Sequence, residues 1–178
     1  MSDPSQLPYR QGVGLCLFNR EGLVLVAERR DKRGAWQMPQ GGVQKNEAPE
    51  KAALRELKEE IGTDNAEIVA RIAEKLSYEF PDWVQHGKKP GARPYHGKYR
   101  GQQQTWFALR FLGDDSEIDL SGEHEPENPE FVAWKWVELA ETATLIVDFK
   151  RPVYERMIEE FAPIAAAIKK GGKSPKLG

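Results

Sequence analysis

Residues 41–63 read GGVQKNEAPEKAALRELKEEIGT, and this stretch decides the fold. Its acidic side chains are Glu47, Glu50, Glu56, Glu59 and Glu60, with Asp64 just beyond. On an α-helix, positions 56, 59 and 60 stand at i, i+3 and i+4, so their carboxylates share one face. Like charges so placed repel unless something positive sits among them, and close-set hard oxygen ligands suit Mg²⁺ or Mn²⁺. The spacing predicts a helix that starts near Ala48-Pro49, where proline is tolerated in the first turn, and ends on Gly62 as a left-handed cap. Ala52, Ala53, Leu57 and Ile61 form a narrow apolar stripe that seats this helix on a sheet. Ahead of it, Pro39-Gln40-Gly41-Gly42 reads as a breaker cluster, where glycine lets the backbone approach an ion or phosphate closely. Arg55 lies two turns from Glu47 and can reach back to it.

Outward from the helix, the chain alternates extended and helical signals. Residues 12–19 and 23–29 read as an antiparallel hairpin turning at Asn19-Arg20-Glu21-Gly22. A short strand is expected at 36–38, one strand at 68–80, another at 103–112, and a further one at 131–137 with Trp134 and Trp136 on one face. Residues 151–168 carry a helical pattern with apolar positions at Val153, Met157, Ile158, Phe161 and Ile164. Hairpins mixed with helices indicate a mixed sheet and an α+β class.

The chain has 178 residues, 39% of them hydrophobic, which suits one domain over 9–168, with a flexible N-terminus at 1–8 and a basic, disordered tail at 169–178. No apolar run approaches the roughly 18 residues that span a bilayer, and the polar start lacks a signal-peptide profile, so the expectation is a cytoplasmic protein. The single cysteine, Cys16, lies in an apolar run and reads as core. A net charge of -2 excludes a uniformly basic nucleic-acid-coating surface, so a polyanion must be gripped locally. Local charge is indeed segregated. Residues 81–100 carry Lys88, Lys89, Arg93, Lys98 and Arg100 among Trp83, Tyr95 and Tyr99. Residues 113–130 have eight acidic side chains and no lysine or arginine, and read as a solvated connector apart from Glu130. Arg10, Arg29 and Arg30 fall at sheet ends near the glycine loop, where guanidinium groups can grip phosphate or stack on bases. His86, His96 and His124 show no ligand spacing.

The order Gly41, five residues, Glu47, seven residues, then Arg55-Glu56-Leu57-Lys58-Glu59-Glu60-Ile61-Gly62-Thr63 resembles the Nudix box. It departs only at Thr63, where an aliphatic residue is usual; Thr63 should perturb packing slightly and chemistry not at all. Residues 34–42, 97–107 and 149–154 resemble the branch that holds RNA 5′-pyrophosphohydrolases and dinucleoside polyphosphate hydrolases. Two departures stand out: Gln11-Gly12 where the branch often has Pro-Asn, and a longer loop at 81–96. The resemblance implies a three-layer α/β/α Nudix sandwich with a mixed central sheet. It implies that Glu47, Arg55 and Gly62 are structural, that Glu56, Glu59 and Glu60 are catalytic, and that the Gly41 carbonyl, Glu56, Glu60 and Glu130 hold Mg²⁺, Mn²⁺ or another divalent cation. Glu59 is then either a ligand or the base that takes a proton from the attacking water.

Two substrates remain open in this resemblance. If the substrate is a 5′-phosphorylated RNA end, Arg29, Val147, Phe149 and Lys150 would form a cleft that sandwiches a nucleobase. If it is diadenosine tetraphosphate, Lys98, Tyr99 and Arg100 would be the phosphate and adenine contacts. A nucleotide sensor on an inactive scaffold would be expected to lack one of the glutamates, and all are present. The branch also allows a protein activator, and the chain is expected to be a monomer.

Overall fold

The computed structural model describes residues 4–85, 98–121 and 129–171. Its strands are β1 (Tyr9–Phe18), β2 (Val24–Arg29), β3 (Trp36–Gln37), β4 (Gln40–Gly42), β5 (Ala66–Arg71), β6 (Leu76–Glu79), β7 (Gly101–Phe111) and β8 (Phe131–Val137), joined in one sheet. The helices are α1 (Pro49–Ile61), α2 (Asp82–Gln85), α3 (Thr142–Leu145) and α4 (Arg151–Lys169). β1 and β7 run parallel at the centre, from Tyr9 beside Gly101 to Phe18 beside Arg110, and the other pairings are antiparallel. The sheet is therefore mixed.

Period-two alternation on the two central strands builds two cores. Val13, Leu15, Leu17, Phe107, Leu109 and Phe111 face α1 and meet Ala52, Ala53, Leu57 and Ile61. Cys16, Phe18, Trp106 and Ala108 point the other way and meet Val153, Tyr154, Met157, Phe161, Ile164 and Ile168 of α4. Each fully buried large side chain contributes about 1.5–3 kcal/mol. The result is the expected α/β/α sandwich, with Cys16 a free core thiol. α1 has Pro49 in its first turn and Gly62 (φ 80°) as its left-handed cap, donating to the Lys58 carbonyl.

Four local readings need correction. The hairpin of residues 12–29 is splayed: β1 and β2 pair only at Phe18 and Val24, because β4 occupies the flank of β1 along Gly12–Gly14 and β3 occupies that of β2. The cluster at 39–42 is thus not merely a breaker, since Gln40–Gly42 is a strand. Residues 68–80 are two strands, β5 and β6, laid end to end along β7; between Arg71 and Leu76 the chain spends five steps where β7 spends three, and the excess bulges out. The part of the acidic stretch over 113–121 also packs: the Asp119 amide donates to the Ile61 carbonyl at 2.8 Å, and Glu117 accepts from Asn65 and from the buried Thr63 hydroxyl. Thr63 therefore contributes a polar tether.

The basic loop over 86–97, His86, His96, His124 and the tail beyond residue 171 lie outside the described residues. No helix among the described residues is long and apolar enough to cross a membrane.

Candidate active site

Arg55 organises the acidic face of α1. Its Nε and Nη2 meet Glu47 at 2.7 and 2.8 Å, Nη2 also donates to the Gly42 carbonyl at 2.8 Å, and Nη1 reaches Glu56 at 2.8 Å and Glu59 at 3.2 Å. One guanidinium thus ties the loop to the helix. The hydrogen bonds from Arg55 hold the Glu47 carboxyl down at about 2, and Arg55 itself is raised above its ordinary range.

Glu56 and Glu60 are pushed the opposite way. Burial raises Glu56 despite the bond from Arg55. Burial raises Glu60 further, with Glu130 and Glu56 adding repulsion, although the Gln40 amide donates to its Oε2 at 3.0 Å. The Glu56 carboxyl lies directly on the glycine loop: a Cβ on Gly41 would fall 1.9 Å from Glu56 Cδ. A Cβ on Gly42 would fall 2.6 Å from Arg10 Nη2, so the Arg10 guanidinium packs against that residue. Close approach favours glycine at Gly41, where the whole Glu56 carboxyl would have to move, more than at Gly42, where only the end of the Arg10 side chain would give way.

Among the described residues, no three carboxylate, histidine or cysteine side chains converge as a ready metal cage. Arg55 stands between Glu56 and Glu59, and Gln40 holds Glu60. The donor set nevertheless fits a hard divalent cation. Half-buried oxygen groups such as Glu56 and Glu60, which repel each other and resist ionisation, are relieved by positive charge placed among them.

Two regions adjoin these carboxylates. An open cleft of about 520 Å³ is lined by Tyr9, Arg10, Gln11, Gly42, Val43, Gln44, Arg55, Glu56, Glu59 and Tyr99. Of the sequence-predicted residues, it gathers Arg10, Arg55, Glu56, Glu59 and Tyr99. On the other side, Lys150 is buried with its ammonium 5.3 Å from the Tyr78 ring. Burial first, and the neighbouring Arg29 charge second, bring its pKa down to about 7, while Glu130, Glu60 and Asp31 oppose the shift. Glu130 is exposed, its carbonyl accepting from the Arg30 amide at 3.0 Å, and its charge is felt by Glu60, Arg29 and Lys150.

Phe149 sits beside Lys150, 5.7 Å from the Tyr78 ring and 6.0 Å from Trp83. Val147 lines a smaller cavity of about 290 Å³ with Lys32, Arg33, Gly34, Ala35, Leu145, Ile146 and Asp148. Arg29 is braced by Asp31 at 2.8 Å. Arg100 is not among the cleft lining but packs behind it: it binds Glu79, donates to the Ser5 carbonyl at 2.7 Å and lies over the ring of the cleft residue Tyr9. Lys98 and Arg30 are exposed. Sequence reasoning missed Tyr9, Tyr78 and Asp31. Tyr78 falls in the strand expected at 68–80, but nothing in the sequence set it against Lys150.

The NUDIX domain model matches residues 8–157. An RNA pyrophosphohydrolase of Rhodospirillum rubrum is 48% identical over 159 residues, covering 89% of this chain and 90% of that protein. One of Sphingopyxis alaskensis is 48% identical, covering 92% and 99%, and one of Rhodopseudomonas palustris is 44% identical, covering 97% and 99%. Among solved structures, E. coli dihydroneopterin triphosphate pyrophosphohydrolase superposes with a TM-score of 0.62 at 21% identity, over 86% of this chain and 99% of that one. A C. elegans Ap4A hydrolase binary complex gives 0.56 at 19% identity, over 86% and 98%. With the box, the sandwich and nearly the whole chain matched, the protein belongs to the Nudix family.

Proposed function

We propose that this chain is an RNA pyrophosphohydrolase, removing pyrophosphate from a 5′-triphosphate end, or phosphate from a 5′-diphosphate end, to leave the monophosphate that promotes mRNA decay. The observation that carries this reading is the likeness to proteins named RNA pyrophosphohydrolase over about nine-tenths of both lengths. The geometry supports it, because the carboxylates of α1 adjoin a flank of Arg29, Phe149 and Lys150 suited to a phosphate and a stacked base.

In this reading the Gly41 carbonyl, Glu56, Glu60 and Glu130 hold the divalent cation, Mg²⁺ or Mn²⁺, with Glu59 a further ligand or the base. When bound, such an ion neutralises phosphate oxygens and makes an adjacent water more acidic. The chain's own groups do the rest. Arg55 fixes the loop against the helix, Arg10 meets phosphate oxygens across Gly42, and the attacking oxygen comes from water. A bond forms from that oxygen, which gives up its proton, to the α-phosphorus carried on the RNA 5′ oxygen; the anhydride bond from it to the β-phosphate breaks, and pyrophosphate leaves a triphosphate end or phosphate a diphosphate end. Action on RNA ends implies a cytoplasmic protein, here taken as a monomer.

A second reading, hydrolysis of diadenosine tetraphosphate, is favoured by Tyr9 and Tyr99 lining the phosphate cleft beside Arg10, where an adenine could stack. Product analysis of 5′-triphosphate RNA and diadenosine tetraphosphate side by side, with Mg²⁺, separates the two. Preferred release of pyrophosphate from RNA is expected. Preference for the dinucleotide would favour the second reading.

A further inference from the structure

β4 consists of Gln40, Gly41 and Gly42, so Gln40 supplies the only side chain beyond hydrogen on the strand that lies against Glu56 and Glu60. At its far end β4 is pinned by Arg55, which binds the Gly42 carbonyl. At its near end the Gln40 amide NH holds Glu60, and the Gln40 side-chain oxygen accepts from Gln104 Nε2 at 3.1 Å. Gln104 is 1% exposed and Gln102 3% exposed, so water does not compete for these groups. The same Gln104 nitrogen donates to Gln102 at 3.0 Å, and the Gln104 oxygen accepts from the Trp106 indole at 3.2 Å.

The indole N–H can only donate, so it decides which end of the Gln104 amide is oxygen and turns the NH₂ toward Gln40 and Gln102. Room for the indole comes from Gly14, where a Cβ would fall 2.3 Å from the Trp106 ring. Gly14 pairs with Gln40 on one side and Trp106 on the other, placing the three in one row across the sheet. Trp106 is itself set by the edge of Tyr154, 5.5 Å away, whose hydroxyl accepts from the Met38 amide just before β4.

We infer that Gln104 is a positioning residue for hydrolysis: a buried chain from Trp106 through Gln104 to the Gln40 side chain fixes the strand that holds Glu60 and the Gly41 carbonyl in place. The inference rests on the proposed pyrophosphohydrolase reading. Gln104 is buried and is not among the residues lining the cleft, so it acts through Gln40. The chain is costly to break at Gln104 and Trp106, because either of these left unpaired has no solvent to turn to.

The test uses the full chain as wild type, Gln104→Met, Gln40→Met and the double variant. Gln40 is partly exposed, so its variant reports even where Gln104→Met fails to fold. Each single variant is expected to lower kcat on 5′-triphosphate RNA about tenfold with KM changed less than about twofold, since a small misplacement of a catalytic group acts on turnover. Amide hydrogen exchange over residues 40–42, read by mass spectrometry without metal or RNA, should accelerate in each. The double variant should be no worse than the single ones, because both break one chain. Unchanged kcat and exchange would overturn the inference, as would losses that multiply in the double variant. A wild-type chain inactive on RNA would remove the proposed function, and the exchange data alone would then decide the role of Gln104.

Discussion

Arg55 meets Glu47 through two parallel hydrogen bonds, Nε to Oε1 at 2.7 Å and Nη2 to Oε2 at 2.8 Å, while its remaining nitrogen faces Glu56 and Glu59. The fork suits arginine and not lysine. Folding lowers the Glu47 pKa from an ordinary 4.5 to about 2, so its contribution to stability is complete above about pH 4.5 and disappears as pH falls through 2. Thermal melts of wild type and Glu47→Gln should therefore differ most near neutral pH and converge toward pH 2. A gap that widens in acid would contradict the role given to this pair.

Leu57 is fully buried between α1 and the sheet. Leu57→Ala should cost about 2–5 kcal/mol, a loss of transfer energy plus a cavity, visible in urea unfolding as a lower midpoint with unchanged slope. A change below about 1 kcal/mol would show that the α1 layer is less tightly packed than described.

Thr63→Val restores the aliphatic residue usual at that place in the box. It removes the hydroxyl that donates to Glu117 and accepts from the Asn65 amide, both in a partly buried setting. The expected outcome is a loss of about 1 kcal/mol with hydrolysis unchanged. Stabilisation on substitution would mean the polar tether has no value.

Much of this architecture was legible locally. α1 announces itself through Pro49, Gly62 and the spacing of Leu57 and Ile61, and β1 through its apolar run ahead of the turn at Asn19-Arg20-Glu21-Gly22, because neighbours within one element set those patterns. The splitting of residues 66–79 was hidden, since it is decided by pairing with β7, remote in sequence, and by two extra residues between Arg71 and Leu76. β4 was hidden as well. Gly41 and Gly42 have little strand preference, and their pairing with Val13 and Gly12 is set by β1, remote in sequence. At the site, the glutamates of α1 followed from spacing, whereas the partners of Arg100 and Lys150 are tertiary. Glu79 and Tyr78 could not be assigned to them from sequence alone.

Phe149 offers the discriminating substitution between the two substrates. Stacking of a base on an aromatic ring is worth about 1–3 kcal/mol, so Phe149→Ala should lower kcat/KM on 5′-triphosphate RNA by about tenfold or more. Hydrolysis of diadenosine tetraphosphate should fall by less than about threefold. Equal losses on both would leave the nucleobase cleft without support.

The central claim is that the desolvated carboxylates of α1 act with a divalent cation on a phosphoric anhydride. Its most direct test is product release from 5′-triphosphate RNA by wild type and Glu56→Gln, each with Mg²⁺ and after chelation. Wild type with Mg²⁺ should release pyrophosphate and leave a 5′-monophosphate end, chelation should stop it, and Glu56→Gln should be slower by on the order of a thousandfold while melting as wild type does. Equal turnover by the two proteins, or turnover that survives chelation, would contradict the claim.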